Sequence, residues 1–176
     1  MTKLQYPKVV IFDLDYTLWP CWCDTHISPP IKAKNKQEIT DKYGTSLSFF
    51  PDVEVIFKEL LENNVLIVGA SRTHAPQVAT KLLKLLHING EPAINHFSFL
   101  EWGTGSKIGH INSALKKIRQ ELGVDVSGHD CILYDDEYRN KDVRTIGVQF
   151  AYLPNEELNY SLFREGLEAF SIKSVN

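Results

Sequence analysis

Short apolar runs alternate with longer stretches of helical periodicity along most of the chain. The first run, Val9, Val10, Ile11 and Phe12, ends in Asp13. Successive apolar positions are the mark of a strand buried on both faces. A helix is expected to start near Pro51, a favoured first-turn residue, and to run through VEVIFKELLEN. Residues 65–70 (VLIVGA) read as a second buried strand. Residues 75–87 follow as an amphipathic helix, with Val78, Leu82, Leu85 and Leu86 at helical spacing. A weaker strand is expected over 97–100, then a helix over 106–122 with Ile108, Ile111, Leu115 and Ile118 on one face. Strands over 131–134 and 148–153 and a closing helix over 156–170 complete the pattern.

This alternation predicts an α/β fold: a three-layer α/β/α sandwich with a mostly parallel sheet between helices. In open sheets of this kind ligands bind outside the carboxyl ends of the strands. Residues that directly follow a strand are therefore the candidates for chemistry. The exception to the alternation is residues 19–50, a long segment in which Pro20, Pro29 and Pro30 oppose a continuous early helix. A connection of this length is usually functional or disordered. Trp19 and Trp22 would be costly to expose, so an ordered flap over the site is expected, too short for a large cap domain. Residues 1–176 are expected to form a single domain containing this short insert.

Composition narrows the partners. The chain has 176 residues, 43% hydrophobic and 23% charged, with a net charge of -3. That balance offers no basic footprint for nucleic acid or an anionic membrane. No apolar stretch approaches the ~20 residues that span a bilayer. The opening MTKLQYPKVV lacks the apolar core of a signal peptide. The expectation is an intracellular protein of the cytoplasm, with the nucleus as a second compartment, and with no obligate partner. Cys21, Cys23 and Cys131 are too few and too badly spaced for a disulfide framework. Cys21 and Cys23 with His26 fall short of the four ligands of a structural zinc; thiols beside an active site fit better.

The strand ends carry the chemistry. Asp13 and Asp15 are two carboxylates at the end of a buried strand, a costly placement unless a metal ion or an anionic substrate requires it. Two residues apart on extended chain, they can face one phosphate. Ser71 and Arg72 end the second strand (ASRT), Lys107 opens the helix after the third (GSK), and Asp135 and Asp136 end the fourth (YDDEYRN). Four polar sites in this order on one rim point to phosphoryl transfer. Ser71 can donate a hydrogen bond to a phosphoryl oxygen. Lys107 can place positive charge beside it, at a helix amino terminus. Arg72 can clamp the substrate in a bidentate contact or pair with an acid of the protein itself.

Together FDLDYTLWP, ASRT, GSK and YDDEYRN resemble the haloacid dehalogenase superfamily, and more narrowly its magnesium-dependent phosphatase-1 family. The resemblance implies a Rossmann-like core and a Mg²⁺-dependent phosphomonoester hydrolase that works through an aspartyl-phosphate. It implies Asp13 as nucleophile and Asp15 as general acid and base. Asp13, the backbone carbonyl of Asp15 and Asp136 would hold the Mg²⁺, and Ser71, Arg72 and Lys107 would bind the phosphate. The superfamily places a polar residue four positions after the metal-binding acid. Asp136 with Asn140 fits that spacing, which leaves Asp135 a supporting role. The implied substrates are phosphoproteins bearing phosphotyrosine and phosphorylated small molecules, namely sugar phosphates including fructosamine-6-phosphates. Trp19, Trp22, His26 and Arg72 are the candidates for leaving-group contacts. Two alternatives are a phosphotransferase, which needs a cap that excludes water, and a non-catalytic module that binds phosphoproteins or phosphosugars.

Overall fold

The computed structural model describes residues 3–176. In chain order the elements are β1 (Val9–Phe12), α1 (Cys23–His26), the short strands β2 (Lys32–Ala33), β3 (Ile39–Thr40) and β4 (Ser46–Leu47), and α2 (Val53–Glu62). Then come β5 (Leu66–Ser71), α3 (Pro76–Leu85), the hairpin strands β6 (His87–Ile88) and β7 (Glu91–Pro92), and β8 (Phe99–Trp102). The chain ends with α4 (Lys107–Lys117), β9 (Cys131–Asp135), β10 (Gln149–Tyr152) and α5 (Tyr160–Val175).

The apolar runs pair into one five-stranded parallel sheet in the order β10-β9-β1-β5-β8. β1 is central and every one of its residues is buried. Its side chains alternate between two cores, as strand geometry requires. Val10 and Phe12 join Phe57 of α2, Leu82 of α3 and Phe163 of α5. Val9 and Ile11 join Ile111 and Leu115 of α4 on the opposite face. The chain moves outward from β1 through β5 to β8, then returns to the other side of β1 for β9 and β10. The direction of winding therefore switches beside β1, where open parallel sheets place their ligands.

Several element ends differ from the periodicity: the strand expected over 97–100 runs Phe99–Trp102, and the helix expected over 75–87 ends at Leu85, with His87 already in β6. The closing helix begins at Tyr160, because Glu156 has φ +54° and the Asn159 side chain caps the helix by accepting from Leu162 N. The long helix after Ser106 is α-helical only to Lys117 and ends as a π-turn over residues 118–122. Residues 19–50 are ordered. They form α1 and the antiparallel sheet β2–β3–β4, and they bury Trp19, Cys23, Ile27, Ile39 and Leu47 in the same core as Val10 and Phe12. Asp41 ties this segment together, accepting from the backbone N–H of Ser28, Tyr43 and Thr45 at 2.9 Å each.

α5 approaches the sheet where Gly166 crosses Tyr134. A Cβ on Gly166 would meet Tyr134 Oη at 2.4 Å, and that hydroxyl is already committed to Phe163 O at 2.7 Å. Gly166→Ala is therefore expected to cost about 1–3 kcal/mol of unfolding free energy in a denaturant titration. The penalty should shrink in a Tyr134→Phe background, which removes the nearest atom.

Candidate active site

The ends of β1, β5, β8 and β9 open on one cleft of about 420 Å³, lined by Asp13, Asp15, Ser71, Arg72, Lys107 and Asp136 among others. Asp13 follows β1, and its backbone N–H donates to Tyr134 O (3.1 Å), which sets it level with Asp135 at the end of β9. Leu14 turns into the core and Asp15 returns to the cleft. Tyr16 takes φ +56°, reversing the chain so that its N–H bonds Trp19 O at 2.8 Å. Both oxygens of Asp13 have donors: Lys107 Nζ reaches Oδ1 at 2.8 Å and Thr17 Oγ1 reaches Oδ2 at 3.2 Å.

Lys107 is 2% exposed, and its ammonium also donates to Ala70 O and lies 3.6 Å from Asp135 Oδ2. Burial alone would push this lysine towards neutrality, but the charges of Asp13 and Asp135 outweigh it and hold its pKa above the ordinary range. The capped start of α4 puts Lys107 at its first position, where Ser106 Oγ accepts from Gly109 N at 3.1 Å. Ser71 is buried; its Oγ accepts from Thr73 N at 3.1 Å, leaving the hydroxyl proton available to the cleft.

Asp13, Asp135 and Asp136 present carboxylate oxygens that all lie within 4.8 Å of one another. Burial first, and the neighbouring Asp13 charge second, raise the pKa of both Asp135 and Asp136. Oxygen donors crowded together with excess negative charge are what a hard divalent cation such as Mg²⁺ takes, so the donor set fits that ion. Asp135 is further engaged: Oδ1 accepts from Glu137 N and Oδ2 from Asn140 Nδ2, both at 2.8 Å. Asn140 is 1% exposed, and its Oδ1 accepts from Arg72 Nη2 at 2.6 Å. The amide whose spacing singled out Asp136 thus bridges Arg72 and Asp135, five residues before it, at the start of the 3₁₀ turns over residues 138–146. Arg72 keeps a buried Nε with no partner.

Two expected leaving-group contacts lie elsewhere. Trp19 is fully buried and donates its indole N–H to Asp15 Oδ1 at 2.7 Å. His26 is absent from the cleft lining; its ring stacks on Trp22 at 5.6 Å and 8°, and its Nδ1 accepts from Trp22 N at 3.0 Å. Trp22, 53% exposed, does line the cleft, with Asp24 and Thr25 from α1. Of the remaining wall, His74, Thr104 and Arg139 carry no signal in the sequence beyond lying a few residues past a strand end. Asp15 is raised in pKa by burial, an effect opposed by the hydrogen bonds from Trp19 and Cys23. A carboxyl group so placed can carry a proton beside the Lys107–Asp13 ion pair.

The parallel sheet thus brings the Asp13 and Asp15 carboxylates, a buried lysine and an acid trio to one rim. The sequence matches the Acid Phosphatase family over residues 5–173. It is 42% identical over 154 residues to a HAD-like hydrolase superfamily protein of Schizosaccharomyces pombe, covering 84% of this chain and 86% of that one. It is 35% identical to magnesium-dependent phosphatase 1 of Homo sapiens, over 95% of this chain and 89% of the relative. The fold is similar to the N-terminal, phosphatase-containing part of a Bacteroides fragilis protein solved with Mg, at TM-score 0.59 and 16% identity, over 92% of this chain and 40% of that one. The chain belongs to the acid phosphatase family of the haloacid dehalogenase superfamily, in its magnesium-dependent phosphatase-1 branch, and is a phosphoric monoester hydrolase that uses Mg²⁺. No helix among the described residues is long and apolar enough to cross a membrane.

The raised carboxyls make a signed prediction for the chelated protein. In the folded state Asp135 and Asp136 retain protons that the unfolded chain releases, so stability falls as pH rises from the ordinary carboxylate range towards neutrality. Asp136→Asn should flatten that fall. Mg²⁺ at a hundred times its Kd should stabilise the wild type by about 2.7 kcal/mol in thermal or chemical unfolding, and the same variant should lose most of this gain.

Proposed function

We propose that this phosphatase works through a covalent aspartyl-phosphate on Asp13. The observation that carries the reading is that Asp13 and Asp15 open into one cleft alongside Ser71, Arg72 and Lys107. Asp13 attacks phosphorus while Asp15 delivers a proton to the departing oxygen, so the Asp13–phosphorus bond forms as the ester bond breaks. Water then attacks the acyl-phosphate, Asp15 takes the water's proton, and inorganic phosphate leaves with Asp13 restored. Lys107 and Ser71 supply fixed donors for the charge that gathers on the phosphoryl oxygens. Arg72, held by Asn140, has nitrogen left for a substrate oxygen. Asp13, Asp136 and the backbone carbonyl of Asp15 would hold the Mg²⁺, which when bound neutralises phosphate charge that otherwise repels the attacking carboxylate.

The substrates we assign are phosphotyrosine in proteins and sugar phosphates, fructosamine-6-phosphates included. What supports breadth is the cleft's wall: Trp22 offers an exposed ring, whereas Asp24, Thr25 and His74 offer polar contacts to hydroxyl groups. Residues 19–50 contribute only that first turn to the cleft and build no enclosing cap.

Acid quenching during turnover of a radiolabelled phosphomonoester should trap hydroxylamine-labile phosphate on the protein. Asp13→Asn should trap none and lose turnover by about 10⁴ or more. Wild-type rates in that variant would refute the covalent route. Compared by kcat/KM, a phosphotyrosyl peptide, aldose phosphates and fructosamine-6-phosphate should all be turned over; activity confined to one would assign the enzyme to that class alone.

A further inference from the structure

Asp15 does not hold its own orientation. Its Oδ1 accepts from Trp19 Nε1 at 2.7 Å and from Cys23 N at 3.2 Å. Its Oδ2 has only the distant Cys23 Sγ, at 3.8 Å. Trp19 cannot reach substrate, because it is fully buried with its ring stacked on Phe49 at 5.9 Å and 22°. Its backbone is pinned as well, since Trp19 O accepts from Tyr16 N at 2.8 Å.

An oxygen that accepts from two N–H groups is a poor place for a proton, since an O–H there would point at a donor. We propose that Trp19 is a positioning residue: with the Cys23 N–H it fixes Oδ1 of Asp15 as acceptor and leaves Oδ2 as the oxygen that gives and takes the proton. This rests on Asp15 being the general acid. In the first half-reaction the Oδ2 proton passes to the leaving oxygen as the ester bond breaks and the Asp13–phosphorus bond forms. The indole sets which oxygen faces the ester and is itself unchanged. The residues that orient the acid thus come from the 19–50 segment, and not from β1, which it follows.

Trp19→Phe keeps a ring against Phe49 and deletes the N–H. The readout is kcat/KM, which reports the first half-reaction, for an alkyl phosphate and for p-nitrophenyl phosphate at saturating Mg²⁺. An alkoxide needs the proton as it departs and p-nitrophenolate does not. Trp19→Phe should therefore lose about 10–100-fold on the alkyl ester and less than about threefold on the aryl ester. A purely structural defect would lower both alike, and equal losses overturn the proposal. Should Trp19→Phe melt below the assay temperature, 3-benzothienylalanine at position 19 replaces only the N–H by sulfur and is held to the same test. Asp15→Asn separates the two ideas. A still larger loss biased to the alkyl ester supports Asp15 as the acid. Equal effects on both esters in Asp15→Asn would remove that role and the proposal with it, whereas bias in Asp15→Asn without bias at Trp19 overturns the positioning alone.

Discussion

The contact between Lys107 and Asp13 organises the rim of the sheet. An ammonium with almost no access to water is tolerable only if it is paired, and here it donates to Asp13 and Ala70 O beside the charge of Asp135, which leaves one N–H for a phosphoryl oxygen. Removing one member of such a buried pair leaves an uncompensated charge, typically at a cost of about 3–5 kcal/mol. β1, β5, β9 and the start of α4 each contribute one group to this knot. The parallel register is what brings the four within a few ångströms, so the catalytic rim and the fold are specified by the same set of partners.

Polar groups then extend outward in a continuous chain. Asp135 accepts from Asn140, and Asn140 accepts from Arg72. Each of these two acceptors has a matched donor, and only the Arg72 Nε in this network is left unpaired. The guanidinium expected to touch substrate is thereby set by the same carboxylate that steadies Lys107.

The strands and the site residues on them were legible because burial on two faces writes an unmistakable run of apolar residues, and the sheet's topology dictates that polar residues after such runs converge. Asp13, Asp15, Ser71, Arg72, Lys107 and Asp136 all reach the cleft on that logic. What sequence spacing could not give was the partner of a side chain reached through an irregular turn. Asn140 goes to Asp135 because residues 138–146 wind as 3₁₀ turns, whose pitch a superfamily spacing does not convey. Trp19 could be read from the sequence both as flap packing and as a leaving-group contact, since an indole suits both surroundings. Only the fold of residues 19–50 decides between them. The closing helix starts late because Glu156 turns left-handed, a local conformation that helical periodicity does not record.

α1 has two sides with opposite tolerance for change. Trp22, Asp24 and Thr25 line the cleft, while Cys23 among them donates its backbone N–H to Asp15. Swapping this loop wholesale between paralogues would import a new cleft wall and at the same stroke discard the groups that hold Asp15. Diversification of substrate preference in such enzymes should accordingly proceed by single exchanges at positions 22, 24 and 25, with Cys23 and Trp19 left in place.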